Sequence, residues 1–198
     1  MFTGIVQGIG TVRAVEPRGG DVTLWIDGGS VSLADVEVGG SIAVSGACLT
    51  ATRIEGNAFA ADVSRETLAL TTLGSAVAGS PVNIEKALQA GQALGGHYVT
   101  GHVDGMGTVL SRHDDARSVR VEFEVPDELA RYVARKGSIC VDGVSLTVNG
   151  VDGRRFDVNL VPHTIDLTTL AACAPGTRVN LEVDIIARYL ERMLEAGR

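Results

Sequence analysis

Short runs of alternating apolar and polar residues dominate this chain. Val22, Leu24 and Ile26 stand at every second position, as do Val119, Val121 and Phe123, and glycine-rich stretches separate such runs. A period of two turns one face of a strand toward a core and the other toward water, so the runs predict half-buried β-strands joined by tight turns. Two segments break the pattern. Residues 126–137, PDELARYVARKG, open on proline and acids, close on bases and stop at Gly137, which predicts a helix whose end charges suit its dipole. A second helix is predicted from Asp184, a candidate N-cap, because Ile185, Ile186, Tyr189, Leu190, Met193 and Leu194 recur at helical spacing. A helix this short is marginal alone, and its apolar face needs cover either from the rest of the chain or from a neighbouring subunit.

The strand pattern occurs twice. A shift of 97 residues carries Phe2 onto Val99 and lays FTGIVQGIGTV over VTGHVDGMGTV. With no net gap, GSIAVSGACLT from Gly40 meets GSICVDGVSLT from Gly137, ETLALTTL from Glu66 meets HTIDLTTL from His163, and SPVNIE from Ser80 meets TRVNLE from Thr177. Two copies are too few for a solenoid, so the repeat reads as duplication of a complete domain. Several short strands per copy, with few aromatics and many glycines, predict a small closed barrel, which removes exposed sheet edges. The expected organisation is all-β: one barrel over residues 1–96, a similar one over 97–183, and a helical tail over 184–198.

Composition narrows the function. With 45% hydrophobic and 21% charged residues the chain has the make-up of an ordinary folded protein. A formal net charge of −7 disfavours nucleic acid and anionic lipid as partners, since both are held by clustered Lys and Arg. No run approaches the ~18 apolar residues of a membrane span, and MFTGIVQGIG lacks the features of a secretory signal, so a cytoplasmic location is expected. Cys48, Cys140 and Cys173 form an odd set without close pairs, which fits neither a disulfide framework nor structural zinc. His97 and His102, five apart, would face opposite ways on a continuous strand and could not share a metal. A P-loop, a G-x-S-x-G elbow and a strand–GxGxxG–helix unit are all missing, which leaves NAD, ATP and hydrolase readings without support.

Differences between the copies mark candidate chemistry. Cys48 falls on Ser145, Ile5 on His102, Asp62 on Asn159 and Glu66 on His163, whereas Thr50 repeats as Thr147 and Thr67 as Thr164. Each has a plainer alternative. Cys48 also fits a small core hydrophobe, His102 a strand histidine bonded to backbone, and Ser145 and the threonines ordinary strand and turn residues. Lys136 also fits the basic end of its helix, and Asp184 a simple cap.

Six segments in order carry a resemblance: MFTGIV at the start, GACLT at 46–50, DVSRETL at 62–68, GGHYVTGHVDG at 95–105, KGSICVDGVSLTV at 136–148 and PHTIDLTTL at 162–170. Together they resemble the riboflavin synthase family of tandem lumazine-binding barrels, over essentially the whole chain. The resemblance implies two six-stranded, Greek-key-like β-barrels with short helices and a C-terminal α-helix. It implies a transferase that dismutates two molecules of 6,7-dimethyl-8-ribityllumazine by moving a four-carbon unit, giving riboflavin and 5-amino-6-(D-ribitylamino)uracil. No external cofactor is implied, because the lumazine ring itself stabilises the carbanion left when its 7-methyl group loses a proton. A homotrimer is implied, built through the C-terminal helix, with each site formed where one subunit's N-terminal barrel faces the next subunit's C-terminal barrel. The resemblance leaves open an association with lumazine synthase. A carrier that holds a lumazine or flavin without turnover is the alternative within the same family.

By position, the resemblance assigns Cys48, His102, Ser145 and Thr147 to proton handling and polarisation. In the N-terminal barrel it assigns substrate contacts to Phe2, Gly4, Ile5, Val6, Leu49, Thr50, Asp62, Val63, Ser64, Arg65, Glu66 and Thr67. For the second barrel the counterparts are Gly101, Val103, Leu146, Val161, Pro162, His163, Thr164, Ile165 and Asp166, with Lys136 reaching a neighbour's ligand. Metal is not implied. Holding two rings in near-attack geometry can lower a barrier by roughly 7–11 kcal/mol, so positioning should outweigh any one side chain.

Overall fold

The computed structural model describes residues 1–197; Arg198, the last residue of the expected 184–198 tail, lies outside the described residues. Two closed antiparallel barrels follow one another. The first is built from β1 (Gly8–Arg18), β2 (Asp21–Asp27), β3 (Ser41–Val44), β4 (Ala47–Glu55), β5 (Ala58–Val63) and β6 (Pro81–Lys86), closing in the order β1-β2-β5-β4-β3-β6. Its twin uses β7 (Gly105–Asp115), β8 (Ser118–Glu124), β9 (Ser138–Val141), β10 (Val144–Asp152), β11 (Arg155–Leu160) and β12 (Arg178–Val183) in the same cyclic order. The all-β reading of the alternating runs holds: Leu24, Ile26, Val121 and Phe123 are fully buried.

Both barrels close with the same devices. Register shifts fall between Val12 and Ala14 on β1 and between Val109 and Ser111 on β7, and again between Ala51 and Arg53 on β4 and between Val148 and Gly150 on β10. A bulge bends its strand and tightens the twist, which a barrel this small requires to join its ends. Each barrel then encloses its own core, with Leu24, Ile26, Ile42 and Phe59 in the first. In the second, Phe123 and Phe156 stack with centroids 5.2 Å apart.

Among the described residues four α-helices decorate the barrels: α1 (Arg65–Leu70), α2 (Asp127–Ala130), α3 (Pro162–Leu167) and α4 (Ile185–Ala196). The last begins where expected, with Asp184 Oδ1 accepting from the Ile186 N–H at 3.0 Å. The helix expected over 126–137 is corrected to the four residues of α2. Beyond it the N–H groups of Tyr132 and Val133 donate to carbonyls only three residues back, on Leu129 and Ala130. Lys136 then takes a left-handed φ of 66° and donates to Val148 O, which turns the chain into β9. Gly39 stands at the matching place in the first copy with φ 91°. The geometry is therefore set by the shared barrel connection, which overrides the helical charge pattern.

The seam between barrels obeys an approximate two-fold symmetry. Asn83 donates to Asp142 O at 2.8 Å and accepts from the Thr169 N–H at 2.8 Å; Asn180 donates to Ser45 O at 2.8 Å and accepts from the Thr72 N–H at 2.7 Å. At the centre Phe2 and Val99 exchange backbone bonds of 2.7 and 3.2 Å, and Phe2, Ala43, Val99 and Cys140 form a small apolar cluster.

Candidate functional site: two crossed pockets

The segment leading into each barrel runs across the seam to the other. Thr3 and Gly4 are anchored on β6 by Glu85, which accepts from both Thr3 donors at 2.7 Å and from the Gly4 N–H at 3.1 Å. Gly4 O then accepts from the Ser145 N–H at 2.7 Å, and Val6, two residues on, is buried in the second barrel's core. The mirror arrangement holds for Thr100 and Gly101, anchored on Glu182, with the Cys48 N–H donating to Gly101 O at 2.8 Å. Val103 in turn packs against the first barrel's core.

This crossing corrects the grouping of candidate residues by barrel. Gly101, His102 and Val103 stand with Cys48, Glu66 and Thr67, where they enclose a cavity of about 150 Å³ at the mouth of the first barrel. Gly4, Ile5 and Val6 stand instead with Ser145 on β10. The contact is close: a Cβ on Gly4 would lie 2.6 Å from Ser145 Cβ, and one on Gly101 2.5 Å from Cys48 Cβ. Both glycines also hold positive φ, 75° and 80°, so only glycine fits.

The remaining candidates divide by exposure. Thr50, Thr147, His102, Ile5, Ser64, Arg65, Glu66, Val161, Pro162, His163, Asp166 and Lys136 are exposed, and Thr67, Thr164 and Ile165 are half-buried. Ser64 caps α1, accepting from the Thr67 N–H at 3.2 Å, and Pro162 opens α3. Leu49, Val63 and Leu146 are buried in the barrel cores, so a ligand at the mouth meets their backbone only. Phe2, expected to make an apolar substrate contact, is 0% exposed in the single subunit and backs the wall formed by Gly101. Asp62 is not brought to Cys48: its Oδ1 accepts from Thr23 Oγ1 at 2.6 Å, and it lines a separate open hollow with Arg18, Asp21 and Arg53.

One residue at the site was missed from the sequence. His97 Nδ1 lies 2.7 Å from Ser145 Oγ, and burial holds its pKa below the ordinary histidine value, against opposing fields from Asp184 and Glu182. The continuous strand assumed for His97 and His102 does not exist, since between them only Val99 makes a β-bridge. A shift of 97 would place the partner of His97 before Met1, so the comparison of copies never reached it. Among the described residues no cluster of His, Cys, Asp and Glu has the geometry to hold a metal.

The lumazine-binding domain family matches residues 3–87 and again 100–184. The chain belongs to that family. Within it, riboflavin synthase of Mycobacterium bovis is 46% identical over 201 aligned positions, covering 100% of both chains. Riboflavin synthase of Brucella abortus is 42% identical, with 98% of each chain covered, and that of Photobacterium phosphoreum 42% identical over 98% of this chain and 89% of its own. Among solved structures, the crystal structure of LumP complexed with 6,7-dimethyl-8-(1'-D-ribityl) lumazine superposes with a TM-score of 0.82 at 26% identity, covering 92% of this chain and 99% of that one. LumP complexed with riboflavin gives 0.83 at 27%, with the same coverage. The lumazine-binding family thus accounts for both copies and for their strand order.

Proposed function

We propose that the protein is a riboflavin synthase, joining two molecules of 6,7-dimethyl-8-ribityllumazine to give riboflavin and 5-amino-6-(D-ribitylamino)uracil. The observation that carries this reading is 46% identity along the entire chain to a riboflavin synthase, far above the 26–27% shared with LumP. The reaction is a transferase dismutation in which one substrate molecule gives four carbons to another. Two similar pockets suit two identical ligands, and the Cys48/Ser145 and Glu66/His163 differences suit their unequal fates. Cys48, His102, Ser145 and Thr147 are the side chains assigned to proton handling.

The pocket at the first barrel is too small in one subunit. A hollow of about 150 Å³ falls below the roughly 300–1,000 Å³ of ligand sites, so a second surface has to close over the ring. A homotrimer in which the first barrel's mouth faces the second barrel's mouth of the next chain supplies that surface and stacks the two substrates. Lys136, exposed and held in a left-handed turn at the pocket strand's base, is assigned to the neighbour's ligand. Among the described residues no helix is long and apolar enough to cross a membrane, and the site of action is proposed to be the cytoplasm.

The test is incubation of purified protein with the ribityllumazine alone, followed by riboflavin absorbance and fluorescence. Riboflavin should form without added cofactor. Binding of the lumazine with no riboflavin formed overturns the enzyme reading and leaves a carrier. For the side chains, Cys48→Ser, His102→Gln and Ser145→Ala should each keep binding better than turnover; equal loss of both would make that residue a binding or folding one.

A further inference from the structure

A cavity of about 290 Å³ lies at the seam, where the two repeats supply its wall in pairs 97 residues apart: Thr72 is matched by Thr169 and Leu73 by Leu170. Both threonines donate their N–H groups to the seam asparagines, so the cavity lies against the bonds that join the barrels. At two places the symmetry breaks in charge, where Ser45 is matched by Asp142 and Pro81 by Arg178. Ser45 and Asp142 share one structural duty. Ser45 Oγ accepts from the Asn83 N–H at 3.2 Å, and Asp142 Oδ1 from the Asn180 N–H at 2.7 Å. A serine does this without a charge; the aspartate brings a second oxygen. Asp142 is 9% exposed, and among the described residues its Oδ2 has no hydrogen-bond partner. A buried carboxylate without a partner is costly, and burial raises this carboxyl to about 7. Arg178, the exposed member of the lining, makes no ion pair among the described residues.

We propose that the seam cavity binds a small amphoteric molecule of the amino-acid class, its ammonium group on Asp142 Oδ2 and its acidic group on Arg178. An ammonium supplies the donor that Asp142 lacks, through a charge-assisted bond about twice as strong as a neutral one. Arg178 offers a forked donor that matches a carboxylate. The volume stands at the lower edge of the roughly 300–1,000 Å³ of small-molecule sites, which suits a short aliphatic chain lying on Leu73 and Leu170 between the two charges. No residue lines both this cavity and the pocket at Cys48, so the site is separate from the one proposed for the lumazine. Binding follows the charge of Asp142. The other titratable groups around it are Arg178 on β12, Cys140 on its own strand and Cys173 in the lining; the β3–β4 turn packed on it, Ser45–Gly46, carries none. Burial raises both thiols and a guanidinium stays protonated, so Asp142 alone among them changes charge below pH 8. An amine should bind weakly at pH 5, where the carboxyl keeps its proton, and about tenfold more tightly per pH unit up to about 7.

The experiment titrates the full-length protein, labelled at its leucine and valine methyl groups, with 4-aminobutyrate, butylamine and butyrate at pH 8, and reads the methyl NMR signals of Leu73, Val82 and Leu170 in the cavity wall. Both amines should move these signals saturably, 4-aminobutyrate at the lower concentration, and butyrate should not. Asp142→Asn should weaken both amines by about 10–100-fold, the loss of a hydrogen bond to a charged group. Arg178→Gln should weaken 4-aminobutyrate a few-fold and leave butylamine as it was, since an exposed charge contributes modestly. Unchanged amine affinity in Asp142→Asn overturns the proposal, as does butyrate binding as well as butylamine. An Arg178→Gln variant that treats the two amines alike removes the acidic half of the ligand and with it the amphoteric class. With a net charge of −7 the chain also attracts amines loosely over its surface; shifts confined to other methyl groups mean that attraction only and overturn the site, and so does the absence of any saturable shift. Should Asp142→Asn fail to fold, the unaltered protein still decides: its affinity for butylamine must rise from pH 5 to pH 7 and then level, and a flat profile removes Asp142 from the site. Riboflavin formation plays no part in these readings, so the outcome stands whether or not the enzyme reading does.

Discussion

The carbonyl of Gly4 and the amide of Ser145 are joined by a 2.7 Å hydrogen bond although they belong to different repeats. That bond places the first residues of the chain at the mouth of the second barrel. Gly4→Ala should therefore damage the second pocket and Gly101→Ala the first, each by driving a Cβ into the facing strand at 2.6 and 2.5 Å. Left-handed strain and overpacking each cost about 1–3 kcal/mol, so urea midpoints should fall clearly in both. Ligand titration tells the crossed arrangement from the uncrossed one. With the pairing described, ligand protection of Cys48 against alkylation should be unchanged in Gly4→Ala and altered in Gly101→Ala, whose added Cβ meets Cys48 directly. The reverse result would mean that each leader stays on its own barrel.

The seam makes a second demand. Asn83 and Asn180 each satisfy one backbone carbonyl and one backbone N–H of the opposite barrel. Truncation to alanine leaves those groups buried without partners, at about 1–3 kcal/mol for each one stranded. Asn83→Ala and Asn180→Ala should each lower stability by several kcal/mol in chemical denaturation, with barrel secondary structure kept in circular dichroism. A loss under 1 kcal/mol would show that water replaces these bonds and that the seam contributes little.

Much of this architecture is legible in the sequence, and the illegible part has a physical cause. Alternation at Val22-Leu24-Ile26 and the 97-residue shift specify strands and duplication, because burial on one face of a strand leaves a period of two. The crossing of the leaders leaves no such trace. Gly4 and Gly101 meet nearly identical surroundings whichever barrel they join, so the repeat itself hides the choice. Residues 126–137 misled for another reason: their end charges suit a helix, but Val133 must fill the place that Val36 fills in the first copy, and the shared connection admits only the turn of α2. The pairing of His97 with Ser145 leaves no sequence pattern, because the two residues lie far apart along the chain.

Asp142 links the seam to pH. It lies buried in the β9–β10 turn at φ 47°, with Oδ1 accepting from the Asn180 N–H at 2.7 Å, and burial raises its carboxyl from 3.8 to about 7. The folded chain thus holds a proton that the unfolded chain releases between those two values, so this group's contribution to stability is full below pH 4 and is lost as pH rises to about 7. Asp142→Asn keeps the acceptor, suits a left-handed turn and removes the ionisation. The variant should match the wild type at pH 4 and exceed it at pH 8 by up to about 4 kcal/mol, given about 1.4 kcal/mol per pKa unit. Parallel stability curves for the two proteins across pH 4–8 would dismiss Asp142 as the source.

The last helix is mounted the wrong way round for a monomer. Its polar side chains grip the barrel: Arg188 pairs with Asp104, and Glu191 accepts from Tyr132 and meets Arg131 at 2.8 Å. Its apolar side chains Ile186, Tyr189, Leu190, Met193 and Leu194 are each more than half exposed. An ordinary surface helix does the opposite, burying its apolar stripe. The outward stripe is thus the natural contact for other copies of the chain in the proposed trimer. Tyr189→Glu and Met193→Glu should leave the melting temperature of the isolated subunit unchanged while shifting the mass in light scattering from trimer toward monomer. Riboflavin formation should fall with the trimer fraction and recover as protein concentration is raised, because each proposed site draws on two chains. A monomeric variant with full activity at low concentration would break the link between assembly and catalysis and leave each subunit to close its own pocket.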